Sequence, residues 1–456
     1  MYGLGDWGAA SATTARTLFW FYFTVTVVGV DISLAGVAFI IGRFWDGVND
    51  PLIGILSDRF RSRWGRRRPF MLLGALPFGV GFFLMFSPPP FEGGLAAALY
   101  YAVIFILYDT AFTIVNAPYA ALTAELTEDY DERASLAGWR MGNSIFVALL
   151  TAGLFKRLAE TVFAGWFSGP DALQYGFAVS GAIWGLLIVV APLLVVAFIR
   201  EPQRELAKPE GRPNFVRITK EVFANRPFRI GAAIYVLAFS AVDIITAVFV
   251  WFLVYYMQLT PPFDSYVLAA VLGVAFLSMP LTVQLMRRWG KSRTYIRMMV
   301  FWAAVMAVIS LLPPGNPALV LFVAAIAGIG YGAANVTPWA IVADIIEEDE
   351  WHSGERREGV YSAYLVTFRK IATAFVVGLI VPQILNAAGF VEGAAASQPP
   401  EAVLALRFIM GGAPAVLLLL SMWAAARYPL DRDAHDDLRR KLALRRAQQS
   451  AADGSG

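Results

Sequence analysis

Two acidic side chains stand four residues apart inside an apolar stretch of this sequence. Asp46 and Asp50 belong to the segment RFWDGVNDP, residues 43–51, and apolar runs precede and follow it. Residues at i and i+4 share one helix face, with Cβ atoms about 5–6 Å apart. Two carboxylates at that distance repel, and a small cation between them or a proton on one relieves the repulsion. Because ionised groups are costly inside a membrane and usually functional there, the pair predicts a cation-binding membrane helix.

The composition is that of a membrane protein. Of the 456 residues, 58% are hydrophobic and 16% are charged, and the mean hydropathy is +0.59. Soluble domains average about 45–50% apolar and about 25% charged residues. The chain has no cysteine, which excludes disulfides, thiol nucleophiles and cysteine-ligated metals. The charge distribution indicates membrane topology, and no nucleic-acid partner is expected.

The apolar runs predict about twelve membrane spans. They are expected near residues 10–30, 33–58, 69–87, 95–124, 134–160, 173–199, 228–257, 265–287, 294–312, 317–346, 359–386 and 401–427. The connections alternate between densely charged and Gly/Pro-rich segments, and the positive-inside rule places the charged set in the cytoplasm. Both termini are then cytoplasmic. The pair Lys156-Arg157, at the outer end of the fifth span, is an exception to the rule.

The chain also divides into two similar halves. The predicted units are a six-helix half at 1–199, a cytoplasmic central loop at 200–227, a second six-helix half at 228–427 and a cytoplasmic tail at 428–456. PLIG at 51–54 resembles PLTV at 280–283, and PYA at 118–120 resembles PWA at 338–340. Such repetition at matching spans indicates a duplication. Parallel halves are the major-facilitator arrangement, with a substrate site between them near the midplane.

The connection after the second span carries a recognisable motif. Gly54-xxx-Asp58-Arg59, followed by Gly65 and Arg66 within RWGRRR, resembles the cytoplasmic loop signature of the major facilitator superfamily. Asp58 is expected to end the helix where water begins, the glycine to supply a turn, and the arginines to anchor the loop at an anionic leaflet. Arginines that only set topology would explain the basic run, but not the spacing of Gly54 and Asp58.

Further segments resemble the glycoside–pentoside–hexuronide:cation symporters, the group of the melibiose permease. They are RFWDGVNDPLIG at 43–54, TIVNAPY at 113–119, the DER and WR elements of 131–140, AD at 343–344 and KIATA at 370–374. They occur in the family's order and cover most of the chain. The resemblance implies an all-α polytopic membrane protein with the major facilitator fold, twelve transmembrane helices in two six-helix halves, and cytoplasmic termini. It also implies a transporter of the cell membrane, functional as a monomer, that is not an enzyme.

The resemblance further implies a cation site. Its predicted members are Asp46, Asn49, Asp50 and Thr113. Two carboxylates, an amide and a hydroxyl are hard oxygen ligands that suit a monovalent cation. No organic cofactor is expected, and the coupling ion is Na⁺ or H⁺, with Li⁺ also open. The alternative is that the two carboxylates only pair with Arg43 and Arg140.

The substrate side departs from the family's pattern. The two acidic residues that grip sugar hydroxyls in the melibiose permease correspond to Ala10 and Asn116, which argues against a galactoside. The candidate substrate-binding residues are Arg43, Asn116, Tyr119, Arg140, Asn335, Trp339, Arg369 and Lys370. The four cations among them favour an anionic substrate such as a uronide. Alternatively, they are counter-ions for nearby aspartates, and the aromatic residues are ordinary packing groups.

A cytoplasmic gate of ion pairs is also predicted, on the fourth–fifth and tenth–eleventh connections. Its candidate members are Glu125, Arg133, Asp344 and Arg356, and the alternative is a solvated charged loop. The resulting function is cation-coupled symport of a sugar, glycoside or uronide by alternating access. Alternatives on the same fold are a carrier of another small solute or lysolipid, or a cation-independent facilitator. An intramembrane aspartyl protease is a remote alternative, because its short signatures occur here in the wrong order.

Overall fold

The computed structural model describes most of the chain as helix. The described residues are 2–60, 62, 64–91, 94–126, 130–199, 215–259, 263–353, 357–393, 397–430 and 434–445, the last without 436, 439 and 443. Their α-helices are α1 (Asp6–Phe21), α2 (Ile32–Arg59), α3 (Arg68–Met85), α4 (Gly94–Glu125), α5 (Tyr130–Leu158), α6 (Ala172–Phe198), α7 (Phe215–Ala224), α8 (Arg226–Trp251), α9 (Phe263–Trp289), α10 (Lys291–Leu311), α11 (Pro317–Ser353), α12 (Glu358–Phe375), α13 (Val381–Ala387), α14 (Pro400–Arg407) and α15 (Ala413–Ala425). The all-α prediction is therefore confirmed.

Five described π-helical turns continue or join these helices. They are Tyr22–Val27 after α1, Ala159–Phe163 after α5, Phe252–Tyr256 after α8, Val376–Ile380 between α12 and α13, and Phe408–Gly412 between α14 and α15. With the turns included, the described residues form twelve long rods and the short helix α7. Nine of these described rods are long and apolar enough to cross a membrane. The other three, α1, α2 and α5, carry many of the charges discussed below, and they remain predicted spans.

The two halves repeat each other in backbone detail. The N–H of Val28 donates to the carbonyl of Phe23 after α1, and the N–H of Met257 donates to the carbonyl of Phe252 after α8. The two bonds lie 229 positions apart, the same offset that separates the PLIG and PLTV segments. The loops after α2 and α9 also match. Each contains a glycine with positive φ, which favours glycine because it has no Cβ. These glycines are Gly65, at +100°, and Gly290, at +81°.

The halves meet most closely at one end of the molecule. We call the end that carries the charged connections the cytoplasmic side, as the sequence predicts, and the opposite end the outer side. Near the outer side, the indole Nε1 of Trp251 donates to Thr26 Oγ1 at 2.8 Å. There α2 also touches the rod of α12 so closely that a Cβ on Gly36 would overlap the Gly378 carbonyl. These contacts join the first half to the second, so the structure is an outer-closed state.

Two cytoplasmic segments dock on the second half. The ring of Phe223 on α7 meets the rings of Tyr364 and Phe368, with centroids 6.0 Å and 5.7 Å apart. In the tail, Leu438 and Leu442 are buried. Most of the predicted central loop, 200–214, lies outside the described residues.

Candidate functional site

A cavity of about 280 Å³ lies between the two halves. Its walls come from α1 and α2 of the first half and from α8, α11 and the α12 rod of the second. The charged side chains that line it are Arg16, Arg43, Asp243, Arg369 and Lys370. A second void, of about 40 Å³ within the second half, is lined almost wholly by apolar side chains. Polar chemistry is therefore expected in the cavity between the halves.

Lys370 of α12 lies between the two acidic residues of α2. Its Nζ is 3.0 Å from Asp46 Oδ2 and 2.5 Å from Asp50 Oδ2. Thr113 Oγ1, on α4, donates to the other oxygen of Asp50 at 2.8 Å. We call these four residues the central cluster. Its ammonium occupies the place between two carboxylates where the sequence predicts a small cation, and it also ties the second half to the first.

The geometry of α2 explains why both carboxylates reach one ammonium. The helix runs without interruption from Ile32 to Arg59, so Asp46 and Asp50 stand one turn apart. Asp31 caps its N-terminus, because one carboxylate oxygen accepts from the backbone N–H groups of Ser33 and Leu34 at 2.9 Å. Asn49, the fourth predicted cation ligand, is buried and donates to the Asp109 carbonyl at 3.3 Å. Asn49 therefore forms a hydrogen bond to α4.

The arginines on the first-half wall differ in how well they are paired. Arg16 Nη1 is 2.5 Å from Asp109 Oδ1, and both side chains are buried. Arg43 lies 3.7 Å from Asp46, which is already paired with Lys370, and its guanidinium is 5.0 Å from the Phe39 ring centroid. The Nε atoms of both arginines are buried and have no hydrogen-bond partner. Both arginines line the cavity.

The second-half wall carries one well-formed ion pair. Arg369 Nη2 is 2.8 Å from Asp243 Oδ1, and Thr373 Oγ1 donates to the other carboxylate oxygen at 2.5 Å. The Arg369 guanidinium also lies 4.1 Å from the centroid of Phe239. Arg16 and Asp243 were not singled out from the sequence. The signal that identified Asp46 also applies to them, because both are charges within predicted spans.

The charges around the cavity balance. The four described cations that line it are accompanied by four carboxylates in contact with them. The carboxylates are those of Asp46, Asp50, Asp109 and Asp243. In their ordinary protonation states, these eight groups sum to zero. A lone cation or a lone anion entering the cavity therefore leaves an unbalanced charge, whereas the two together do not.

Sequence comparison identifies the family. Residues 1–432 match the family described as MFS/sugar transport protein. The chain belongs to this family. It is an integral, multi-pass membrane transporter and not an enzyme, so the protease interpretation is wrong. The predicted relationship to the glycoside–pentoside–hexuronide:cation symporters is confirmed at the level of the family.

Relatives and solved structures agree with this assignment. The transporter is 27% identical to "Putative glycoside/cation symporter YagG" of Escherichia coli K12, over 99% of this chain and 95% of that protein. It is 29% identical to "Putative 2,3-dihydroxypropane-1-sulfonate exporter" of Salmonella typhimurium, over 86% of each. The inward-open xylose transporter XylE of E. coli superposes with a TM-score of 0.61 at 17% identity, over 96% of this chain and 97% of that one. That likeness shows the fold.

Two predicted substrate residues of the transporter lie in a separate cluster. Arg140 forms a bidentate pair with Asp6, at 2.8 Å and 3.0 Å, and its guanidinium is 4.4 Å from the Tyr119 ring centroid. The Tyr119 hydroxyl donates to the same carboxylate at 2.9 Å. Neither Arg140 nor Tyr119 is among the described residues that line the cavity. Their predicted contact with substrate remains a prediction.

The other predicted substrate residues are spread over α4 and α11. Trp339 lines the cavity and makes an edge-to-face contact with Tyr235, with centroids 5.0 Å apart. Asn335 donates to the Tyr331 carbonyl of its own helix at 2.9 Å. Asn116 is half-buried on α4. Trp339 is thus the predicted aromatic side chain that a sugar ring in the cavity can meet directly.

The predicted cytoplasmic gate is described only in part. Asp344 pairs with Lys291 and with His435 of the tail, whose Nε2 is 2.9 Å away. All three residues belong to the second half or its tail. Arg356 lies outside the described residues, and the side chains of Asp58, Arg59, Glu125 and Arg133 lie outside the described part of their helices. The gate and the loop motif, with Gly54 and Arg66, stay predictions.

Proposed function

We propose that this transporter couples the movement of a small polyhydroxylated anion to that of a monovalent cation. The charge balance of the cavity carries this proposal. Unpaired charge in a poorly hydrated site costs several kcal/mol. A cation alone or an anion alone leaves the site charged, and the two together leave it neutral, so each ligand favours binding of the other. This coupling is reciprocal by thermodynamic necessity.

The central cluster supplies the step that links the two ligands. A Na⁺ ion or a proton at Asp46 and Asp50 displaces the ammonium of Lys370. The freed ammonium then faces the cavity together with Arg43 and Arg369, and it can pair with a carboxylate or sulfonate. The loaded carrier next rocks to expose the cavity to the other side of the membrane.

The chemistry of the lining supports a sugar-like anion. Guanidinium groups pair well with carboxylates and sulfonates because they offer several donors in one plane. Trp339 offers an aromatic face to the apolar side of a sugar ring. The names of the relatives point the same way, since one refers to glycosides and cations and another to a dihydroxylated sulfonate.

A ligand screen with matched pairs tests the proposal. Thermal stability of the purified transporter would be measured with D-glucuronate and with methyl glucoside, in NaCl or choline chloride, at pH 5.5 and pH 8. We expect glucuronate or another sugar acid to stabilise the protein, with affinity raised about 5- to 150-fold by Na⁺ or by acid. Equal stabilisation by the neutral sugar would overturn the anionic class. An affinity independent of both Na⁺ and pH would overturn the cation coupling and favour the facilitator.

Transport by Asp50→Asn tests the coupling role directly. In proteoliposomes, this variant should lose uptake driven by the Na⁺ or proton gradient, because one of the two carboxylates that attract the cation is gone. Asp31→Asn is the matched control. It makes the same substitution on the same helix, at an N-cap position where asparagine also serves. Full gradient-driven uptake by Asp50→Asn would contradict the proposal.

A further inference from the structure

Three buried charged side chains join the two halves near their outer ends. Lys156 and Glu160 stand one turn apart on the α5 rod, and Asp264 lies in the first turn of α9. Lys156 Nζ is 2.7 Å from Glu160 Oε2 and forms an ion pair with Asp264. The exposed fractions of the side chains of Lys156, Glu160 and Asp264 are 1%, 7% and 1%. We call these residues the outer triad, and none of them lines the central cavity.

The outer triad carries more acid than base. If both carboxylates are ionised, two negative charges share one ammonium, and a buried net charge of −1 remains. An uncompensated buried charge is expensive, and such a group usually takes up or loses a proton instead. Among the described residues, the recorded ion pairs of Glu160 and Asp264 are both with Lys156. One proton therefore neutralises the triad.

Besides Lys156 and Asp264, the described groups around Glu160 are Tyr22, Arg157 and residues of α6 and of the α8 rod. Tyr22 donates its hydroxyl to Glu160 Oε1 at 2.9 Å, and its ring centroid lies 4.9 Å from Lys156 Nζ. Arg157, next to Lys156, lies 5.2 Å from the Tyr266 ring centroid of α9. From α6, Gly176 packs against the π-helical turn, and the ring of Tyr175 lies against Phe167. Tyr255 of the second half donates to Thr26 at 3.5 Å.

Helix positions decide which carboxylate takes the proton. Asp264 lies at the N-terminal end of α9, and its Oδ1 accepts from the Ser265 N–H at 2.8 Å. The positive end of the helix dipole stabilises an ionised carboxylate there. Glu160 lies near the C-terminal end of the α5 rod, where the dipole opposes a negative charge. The Glu160 O–H can then donate to the Tyr22 hydroxyl oxygen along the existing 2.9 Å contact.

We propose that the outer triad is a proton-binding site that links closure of the outer side to the uptake of one proton on Glu160. Alternating access separates the outer ends of the two halves. Asp264 then leaves with α9 and is hydrated, while Lys156 and Glu160 stay together as a neutral pair on one helix. The open state needs no proton and releases it to the outer medium. Acid on the outer side therefore favours the outer-closed state, whichever solute or ion the cavity carries.

A thiol-accessibility experiment tests this proposal, because the natural chain contains no cysteine. Thr26→Cys introduces one at a site that is 2% exposed and that contacts Trp251 of the other half. A membrane-impermeant thiol reagent added outside should label it only when the outer side opens. The labelling rate would be measured between pH 5.5 and pH 8, in otherwise wild-type protein and with Glu160→Gln added. The rate in otherwise wild-type protein is divided by the rate with Glu160→Gln added, which cancels the pH dependence of the thiol itself.

We expect this ratio to rise with pH, by up to about tenfold per pH unit for one linked proton. Glu160→Gln imitates the protonated acid, so it should hold the outer side closed and lose the linked dependence. Asp264→Asn should lose the linked pH dependence as well, since Lys156 and Glu160 form a neutral pair in both states. If Glu160→Gln does not fold, Asp264→Asn replaces it as the reference variant.

A control isolates the outer triad from other outer carboxylates. Glu392 of the second half accepts from the Ile32 N–H of the first at 3.3 Å, so Glu392→Gln changes another acid between the halves. It should retain the wild-type slope. The proposal would be overturned if the rate ratio were constant across the pH range. It would also be overturned if Glu392→Gln abolished the slope as Glu160→Gln is expected to do. Neither outcome bears on the cation coupling at the central cluster, because labelling reports the outer side and not transport.

Discussion

Two regions of the transporter place one lysine between two carboxylates, in opposite surroundings. In the central cluster, Lys370 comes from the second half and both acids come from the first. The side chains of Lys370 and Asp50 are 19% and 43% exposed, and Lys370 lines the cavity. In the outer triad, Lys156 and Glu160 come from the first half and Asp264 from the second, and the side chains of Lys156 and Asp264 are each 1% exposed.

The difference in hydration determines which ligand each region can accept. In the central cluster, water in the cavity can solvate the ammonium after a cation displaces it, so the lysine and the cation can exchange. In the outer triad, a displaced ammonium has no water to enter, and an alkali cation would arrive only with a large loss of hydration. A proton carries no such cost. The same three chemical groups thus favour ion exchange in one place and protonation in the other.

Removing the lysine of each region should lower the free energy of unfolding to different degrees. Lys156→Met leaves the buried Asp264 carboxylate without its counter-ion, and we expect the free energy of unfolding to fall by about 3–5 kcal/mol. Lys370→Met should cost less, because water reaches Asp50. Reversible unfolding in mixed micelles measures both. Adding Asp264→Asn to Lys156→Met should recover part of the loss, since it removes the stranded charge. Equal losses in the two lysine variants would contradict the comparison.

Rescue by a cation sharpens the same comparison. In Lys370→Met the two carboxylates lack their tethered ammonium, so Na⁺ or acid should stabilise this variant without any substrate. We expect the apparent affinity for the cation to rise about tenfold or more over wild type, a coupling of ordinary size. Thermal shifts in NaCl, with choline chloride at the same ionic strength, measure it. Lys156→Met is the matched control and should gain no Na⁺ response. A similar response in both variants would show that hydration does not separate the regions.

A smaller effect is expected for two of the arginines predicted to bind substrate. Arg369 lines the cavity, so Arg369→Gln should weaken binding of an anionic sugar about tenfold or more, the loss expected for a hydrogen bond to a charged group. Arg140→Gln should change the affinity less, because Arg140 is not among the described residues that line the cavity. Competition binding with D-glucuronate, at fixed Na⁺ and pH, measures both. A larger loss in Arg140→Gln would instead support its predicted role in binding substrate.

Sequence patterns were sufficient for the fold, and they placed Asp46 and Asp50 one turn apart on one helix. Span lengths, the offset between the halves and the i, i+4 spacing of Asp46 and Asp50 are local properties, so periodicity and family motifs reveal them. The sequence could not predict the position of Lys370 between those acids, because the contact spans 320 residues and depends on how the halves dock. Arg16 and Asp243 were missed although they obey the same rule, since no family motif drew attention to them.

The outer triad shows the same limit in another form. Lys156-Arg157 stood out from the sequence as positive charge on the wrong side of the membrane. The reason for Lys156 lies 108 residues away, in the carboxylate of Asp264. Local sequence shows that such a charge is unusual, and only the packing of α5 against α9 supplies its partner. For buried charges of this kind, the sequence therefore predicts that a residue belongs to a site better than it predicts the partner of that residue.

The smallest effect is expected at a third arrangement of the same type, on the cytoplasmic surface. His435 Nε2 lies 2.9 Å from both Asp344 and Glu347. Hydrogen bonds to these two carboxylates raise the pKa of His435 to about 9. Because the folded-state pKa lies above the ordinary value of about 6.5, the contribution of the imidazolium to tail docking is full below pH 6.5. It is lost as the pH rises through about 9.

Anisotropy of a fluorophore on Leu444→Cys, at an exposed tail position, measures this docking. We expect anisotropy to fall between pH 6.5 and pH 10 as the tail loosens, and only slightly, because Leu438 and Leu442 keep their apolar contacts. His435→Asn should give a pH-independent signal over the same range. A wild-type tail that loosens with acid would reverse the sign required by the raised pKa.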